Sequence, residues 1–185
     1  MPFPWKAVAA GGLTLGVVAA IARALNKPSA PHVEKRVALI GDSYAVGLGP
    51  ELDLLFPHFK FEGHVGTNTS QWASHAKACG QCGDWITAFH PDVVLVSLGV
   101  NDDPVNRSNY QTIVSGLHGI GARVIWIEPP AGVKTPSIDA VRKAIISLGV
   151  PIVPAPTFSL RDGLHPTPDG YAAWAAAISQ EVSSG

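Results

Sequence analysis

From residue 36 onward, short apolar runs alternate with amphipathic stretches. The runs VALI (37–40), VVLVSL (93–98), VIWI (124–127) and the short PIV (151–153) are almost continuously aliphatic or β-branched, and FKFEGHV (59–65) is a fifth, more polar run. Continuous apolar runs of this length suit parallel strands buried on both faces. Between them the period becomes helical. Val141, Ala144, Ile145 and Leu148 fall at i, i+3, i+4 and i+7, with Ser137 as an N-cap and Gly149 just past the end. A last helix begins at Pro168 behind a Thr167 cap and presents Tyr171, Trp174, Ala175, Ile178 and Val182 to a core. The alternation predicts an α/β fold, a three-layer α/β/α sandwich around a mainly parallel sheet of about five strands with right-handed crossovers. In such open sheets ligands bind at the carboxyl ends of the strands.

The first 25 residues break this pattern. Between Lys6 and Arg23 lies the uncharged run AVAAGGLTLGVVAAIA. It is shorter than the roughly 20 residues of a spanning helix. A basic start, an apolar stretch and the small-x-small site Ala22-Arg23-Ala24 fit a secretory signal. A membrane anchor fits as well, with Lys6 and Arg23 snorkelling and Trp5 at the interface; a helix packed within protein is the third reading. All three readings place the following domain outside the cytoplasm or against a membrane more readily than free in the cytosol, secreted or held to a membrane through residues 1–25. Residues 26–35, NKPSAPHVEK, read as a linker, so the main domain spans 36–185.

Composition narrows the class without choosing a function. A chain of 185 residues with 46% hydrophobic and 15% charged residues is a globular domain, neither disordered nor large enough for two full cores. A net charge of −1 and the absence of basic clusters argue against nucleic acid as a partner.

The reactive residues fall where the sheet rule asks for them. Run 37–40 leads directly into Gly41-Asp42-Ser43, with a helical pattern behind it, so Ser43 sits at a strand end and near a helix N-terminus. There, free N–H groups and the dipole favour a developing anion. The same position suits a simple helix-capping serine. A phosphate-binding loop is excluded because no GxxxxGK[ST] follows, and Ala45 stands where a G-x-S-x-G elbow needs glycine. Asp162-Gly163-Leu164-His165 supplies the other half of a relay. A serine hydroxyl needs a base, and the base needs a carboxylate to fix its tautomer. Asp and His three apart on a turn can face one another, although local loop hydrogen bonds would explain them too. Gly99-Val100-Asn101-Asp102 ends another run, where an Asn amide can donate to an oxyanion or simply close a turn. Val65-Gly66-Thr67 follows the polar run and offers an unhindered glycine N–H.

GDSYAVG, HVGTNTS, GVND and DGLHPTPDGY together resemble the four sequence blocks of the SGNH/GDSL hydrolases, over residues 36 to about 182. Tyr44 stands in place of the leucine for which GDSL is named. The resemblance implies the flavodoxin-like fold of that family and a carboxylic ester hydrolase. Its triad would be Ser43, His165 and Asp162; its oxyanion hole the Ser43 and Gly66 N–H groups with the Asn101 amide. It implies no cofactor and no metal. The expected substrate is a small-molecule or glycan ester, foremost a short acetyl-type acyl group on a cell-envelope polysaccharide. The alternatives are a lipolytic enzyme (lysophospholipase or thioesterase) and an inactive binding protein, membrane- or particle-associated, on the same scaffold.

Fewer signals attach to the remaining residues. Cys79 and Cys82 are the only cysteines, and in an oxidising compartment a disulfide stapling their loop is the simplest reading. Trp72 follows the second block and is a candidate for lining the cleft, whereas Trp126 and Trp174 fall on core faces. Asp102 is a candidate for holding the third-block loop or touching substrate. Pro129-Pro130 is a candidate for a cis bond stiffening the cleft wall.

Overall fold

The computed structural model describes residues 34–75 and 85–184. The apolar run of residues 1–25, most of the linker, and the expected Cys79–Cys82 disulfide lie outside the described residues. Five strands form one sheet: β1 (Val37–Gly41), β2 (Phe59–Gly63), β3 (Val93–Ser97), β4 (Arg123–Ile127) and β5 (Ile152–Val153). Their order is β2-β1-β3-β4-β5 and every pairing is parallel. The helices among the described residues are α1 (Ser43–Asp53), α2 (Thr69–His75), α3 (Trp85–Phe89), α4 (Arg107–Gly119), α5 (Ile138–Ile146) and α6 (Pro168–Ser184). None is long and apolar enough to cross a membrane.

Burial along the strands explains the runs. Every residue of β1 and β3 is buried, whereas the edge strand β2 is half exposed, which is why its sequence is the more polar. Alternate strand residues feed two cores. On one face Val37, Leu39, Val93, Leu95 and Ile125 pack against α1 and α6, with Trp174 at the centre. On the other, Ala38, Ile40, Val94, Val96 and Trp126 pack against α2 to α5. These are the three layers expected from the alternating pattern, and α6 buries Tyr171, Trp174, Ala175, Ile178 and Val182 as its period requires.

Element ends depart from expectation where local contacts intervene. Run 59–65 ends as a strand at Gly63, because His64 to Thr67 form a turn closed by Thr67 N–H donating to the His64 carbonyl at 3.2 Å. Ser137 occupies the N-cap of α5 but makes no capping bond; its hydroxyl donates instead to Asp103 at 2.8 Å. That helix closes at Ile146, leaving Leu148 in the following turn, partly buried against the second core. The cis peptide among the described residues is Asp103–Pro104, and Pro129–Pro130 is not cis.

The strand order has a switch point between β1 and β3. The chain leaves β1 for β2 on one flank and returns to build β3, β4 and β5 on the other. Loops after β1 and β3 therefore diverge, and a crevice opens at their carboxyl ends. The fit between the two strands is tightest there. A Cβ on Gly41 would lie 2.2 Å from the carbonyl oxygen of Ser97, which already accepts the Asp42 N–H at 3.0 Å. Backbone cannot step aside as a side chain can. Gly41→Ala should destabilise the domain by about 2–3 kcal/mol, lowering the thermal midpoint by roughly 4–12 °C. A midpoint within 1 °C of wild type in calorimetry would refute this close fit.

Candidate active site

Local sequence shapes each part of the crevice before the parts meet. Asp42, not Ser43, caps α1: its carboxylate accepts the Tyr44 N–H at 2.9 Å. This leaves Ser43 as the first helical residue, half-buried, with its hydroxyl free of capping duty. The Ser43 N–H, at the first position of the helix, has no partner within it. Asp162 builds its own turn, accepting the N–H groups of Leu164 at 3.0 Å and His165 at 2.6 Å. Gly163, at φ +78°, makes that turn affordable to the backbone. The loop is tied at its base by Arg161 N–H to the His165 carbonyl and by Thr167 N–H to the Ser159 carbonyl.

Tertiary packing then brings residues 122 apart in sequence into contact. His165 Nε2 lies 2.9 Å from Ser43 Oγ, and His165 Nδ1 lies 2.8 Å from Asp162 Oδ2. The carboxylate of Asp162 is held well below its usual range, first by the His165 backbone N–H and then by the imidazole itself. Tyr44 locks the two halves together. Its hydroxyl donates to the Leu164 carbonyl at 3.0 Å, and its ring stands edge-on to both His165 and Trp174. Nothing in the sequence pattern singles out Tyr44 for this, because its partner is 120 residues away.

Gly66 and Asn101 lie on the loops that follow β2 and β3, at the carboxyl ends of those strands. The turn His64–Thr67 has Gly66 at its third position with φ +77°, the geometry of a type II turn. The Gly66 N–H donates to no group of the described residues. Asn101 Nδ2 donates to the Thr67 carbonyl at 2.9 Å and lies 3.5 Å from Asp42 Oδ2. One amide hydrogen is thus well held, and the other is loosely held and available to a stronger acceptor.

Below this level the polar support is buried. Asp102 accepts from both the N–H and the hydroxyl of Thr69, pinning the third-block loop to the start of α2. Trp72 does not line the crevice. It is 3% exposed in the second core, and its indole N–H donates to Thr67 Oγ1, bracing the turn from behind. An aromatic following a glycine turn on a helix needs the opposite wall of the core to reveal its direction. Among the described residues no three His, Cys, Asp or Glu side chains are grouped to hold a metal.

Asp42 was not distinguishable in sequence from any other cap. It is fully buried, and burial pushes its carboxyl up to about 7, with the nearby Asp102 adding to the rise and the Tyr44 N–H opposing it.

Solved structures share this architecture. The chain superposes on a GDSL-like lipase from Bacteroides thetaiotaomicron with a TM-score of 0.66, at 17% identity over 91% of this chain and 97% of that one. This is the fold of the SGNH/GDSL hydrolases. The same GDSL fold relates the chain to the C-terminal catalytic domain of peptidoglycan O-acetyltransferase A from Streptococcus pneumoniae, with a TM-score of 0.61 at 21% identity over 81% and 93%. It also relates it to an acetylxylan esterase from Geobacillus stearothermophilus, with a TM-score of 0.59 at 14% identity over 80% and 94%. No family model and no curated protein sequence matches the chain.

Two outcomes follow from the buried supports. The folded pKa of Asp42, about 7, lies above its ordinary 3.8, so the native state binds the extra proton. Its favourable contribution is complete below about pH 4 and is lost as pH rises through about 7. Asp42→Asn removes the ionisation and keeps a capping oxygen. The midpoint of the variant minus that of wild type should therefore grow more positive from pH 5 to pH 8, and a difference flat across that range would contradict it. Tyr44→Phe keeps the ring contacts and deletes only the clamp to Leu164; urea denaturation should show a loss of about 1 kcal/mol, and no loss would mean that the bond contributes nothing.

Proposed function

We propose that the domain is a serine esterase that removes short, acetyl-type acyl groups, with Ser43 as nucleophile, His165 as base and Asp162 as its orienting carboxylate. The observation that carries this reading is the unbroken relay from Asp162 through His165 to Ser43, set at the switch point of a GDSL fold. In this reading His165 Nε2 takes the Ser43 proton as Oγ bonds to the ester carbonyl carbon. The oxyanion is met by the Ser43 and Gly66 N–H groups and the loosely held hydrogen of Asn101. The C–O bond to the alcohol breaks, and His165 returns its proton to the leaving oxygen. Water then attacks the acyl-enzyme as His165 accepts one of its protons; the bond from Oγ to the acyl carbon breaks, His165 returns that proton to Ser43 Oγ, and the acid departs.

The short acyl group is favoured by likeness to an acetylxylan esterase and to an O-acetyltransferase catalytic domain. The second of these also favours a second reading, in which an alcohol replaces water as the acceptor. The relay speaks against the inactive-scaffold alternative. We further infer an extracytoplasmic location, secreted or membrane-attached, from the apolar run between Lys6 and Arg23.

Hydrolysis of p-nitrophenyl acetate tests the assignment. Ser43→Ala should lose at least about a thousandfold in kcat/KM, and Asn101→Ala about 10²–10³. Equal turnover by Ser43→Ala and wild type would overturn the nucleophile. Faster turnover of octanoate than acetate would favour the lipolytic reading, and an acetylated alcohol appearing in place of free acetate would favour transfer.

A further inference from the structure

Beside the crevice is a second concavity of about 280 Å³ that the proposed chemistry does not use. It runs between the loop that follows Gly66 and the loop that follows Asn101. The Thr69–Asp102 pair is part of its lining and zips those loops together, Thr69 lying beyond Gly66 on one loop and Asp102 directly after Asn101 on the other. Its walls therefore include the same two loops that carry Gly66 and Asn101.

Its lining is polar, with an acidic wall. Asn68, Asn106 and Asn109 contribute side-chain amides, Ser70 a hydroxyl and Asp103 a carboxylate. Much of this hydrogen-bonding capacity is unused by the protein. Asn68 and Asn106 employ their side-chain oxygens to cap Gln71 and Ser108, which leaves both NH2 groups without an acceptor among the described residues. The Asn109 side chain has no hydrogen-bond partner among the described residues. Asp103 accepts from Ser137 through one oxygen and keeps the other for a ligand.

This chemistry selects by exclusion as much as by attraction. Among the described residues no Lys, Arg or His lines the groove, and Asp102 and Asp103 repel anions, so phosphate and carboxylate groups are disfavoured. Among the described residues no aromatic side chain is there to cage a quaternary ammonium, and Pro104 alone offers apolar surface to an acyl chain. The volume falls just short of the roughly 300 Å³ at which pockets for drug-sized ligands begin, which suits one ring. Amide donors alternating with carboxylate and hydroxyl acceptors match vicinal hydroxyls, each of which both donates and accepts.

We propose that this groove is a subsite for a neutral, hydroxyl-rich ring, the sugar unit beside the one that carries the acyl group. The proposal rests on the esterase reading and deepens it by naming the alcohol side of the ester as a neutral glycan.

The test compares acetylated xylo-oligosaccharide with p-nitrophenyl acetate, which has no sugar to place in the groove. Asn109→Leu should lower the ratio of kcat/KM for the sugar ester to that for p-nitrophenyl acetate by about tenfold. Asn109→Asp, nearly isosteric, guards against a packing artefact and should lower it likewise. An unchanged ratio in both variants overturns the subsite. Binding is read separately, in full-length Ser43→Ala, by NMR titration with unesterified xylotriose. Shifts at Asn68, Asn106 and Asn109 support the subsite. Shifts with glycerophosphocholine and none with xylotriose would overturn it in favour of a lipid headgroup. If wild type and Ser43→Ala hydrolyse p-nitrophenyl acetate equally, the esterase reading fails, while the titration still decides whether the groove holds a sugar.

Discussion

The pairing of β1 with β3 constrains everything that gathers at the crevice. Both strands are buried on both faces, and they approach so closely at Gly41 that no side chain fits against the Ser97 carbonyl. Because the chain leaves β1 for one flank and β3 begins the other, their exit loops diverge at the same height. Ser43 comes from the first exit and Asn101 from the second. No helix can cover the gap between them without reversing one crossover, and right-handed crossovers are strongly preferred.

Upon this frame the crevice is assembled by clamps that cross long stretches of sequence. Tyr44 reaches the Leu164 carbonyl, Asn101 reaches the Thr67 carbonyl, and Asp102 reaches Thr69. Each joins two loops that the sheet alone would only bring near. Trp174 and Tyr171 on α6 provide the apolar backing: Tyr44 stacks edge-on against Trp174, and Gly47 of α1 leaves room for the Tyr171 ring. The buried carboxylates of Asp42 and Asp102 sit behind these clamps. Asp42 carries the cost of burial in its raised pKa, relieved in part by the helix N–H it caps.

A single surface feature separates the two sides of the crevice. The Ser43 side is bounded by helix start and histidine loop, both held by backbone hydrogen bonds. The opposite side opens onto asparagine NH2 groups that have no acceptor among the described residues. Unused donors on a rigid rim cost little in water, because solvent satisfies them. They become specific only when a ligand displaces that solvent.

Much of the fold was readable because its signals are local. A buried parallel strand must be apolar on both faces, so β1, β3 and β4 were visible as runs, and the period of α6 located all five of its core residues. The polar edge strand β2 was read too long because the turn that ends it depends on Gly66 adopting positive φ. The reactive residues were readable as short blocks, since an Asp and a His three apart on a glycine turn make their own geometry. What sequence alone left open was whether Ser43 caps its helix. The structure assigns the cap to Asp42, and the difference is a backbone angle that no residue pattern records. It also turned Trp72 inward, because which way an indole points depends on the wall it meets. Local chemistry thus determined the elements and the turn at Asp162. Only the packing of α1 against α6 decided that the imidazole built on that turn would reach the Ser43 hydroxyl, because such contacts depend on side chains more than a hundred residues apart.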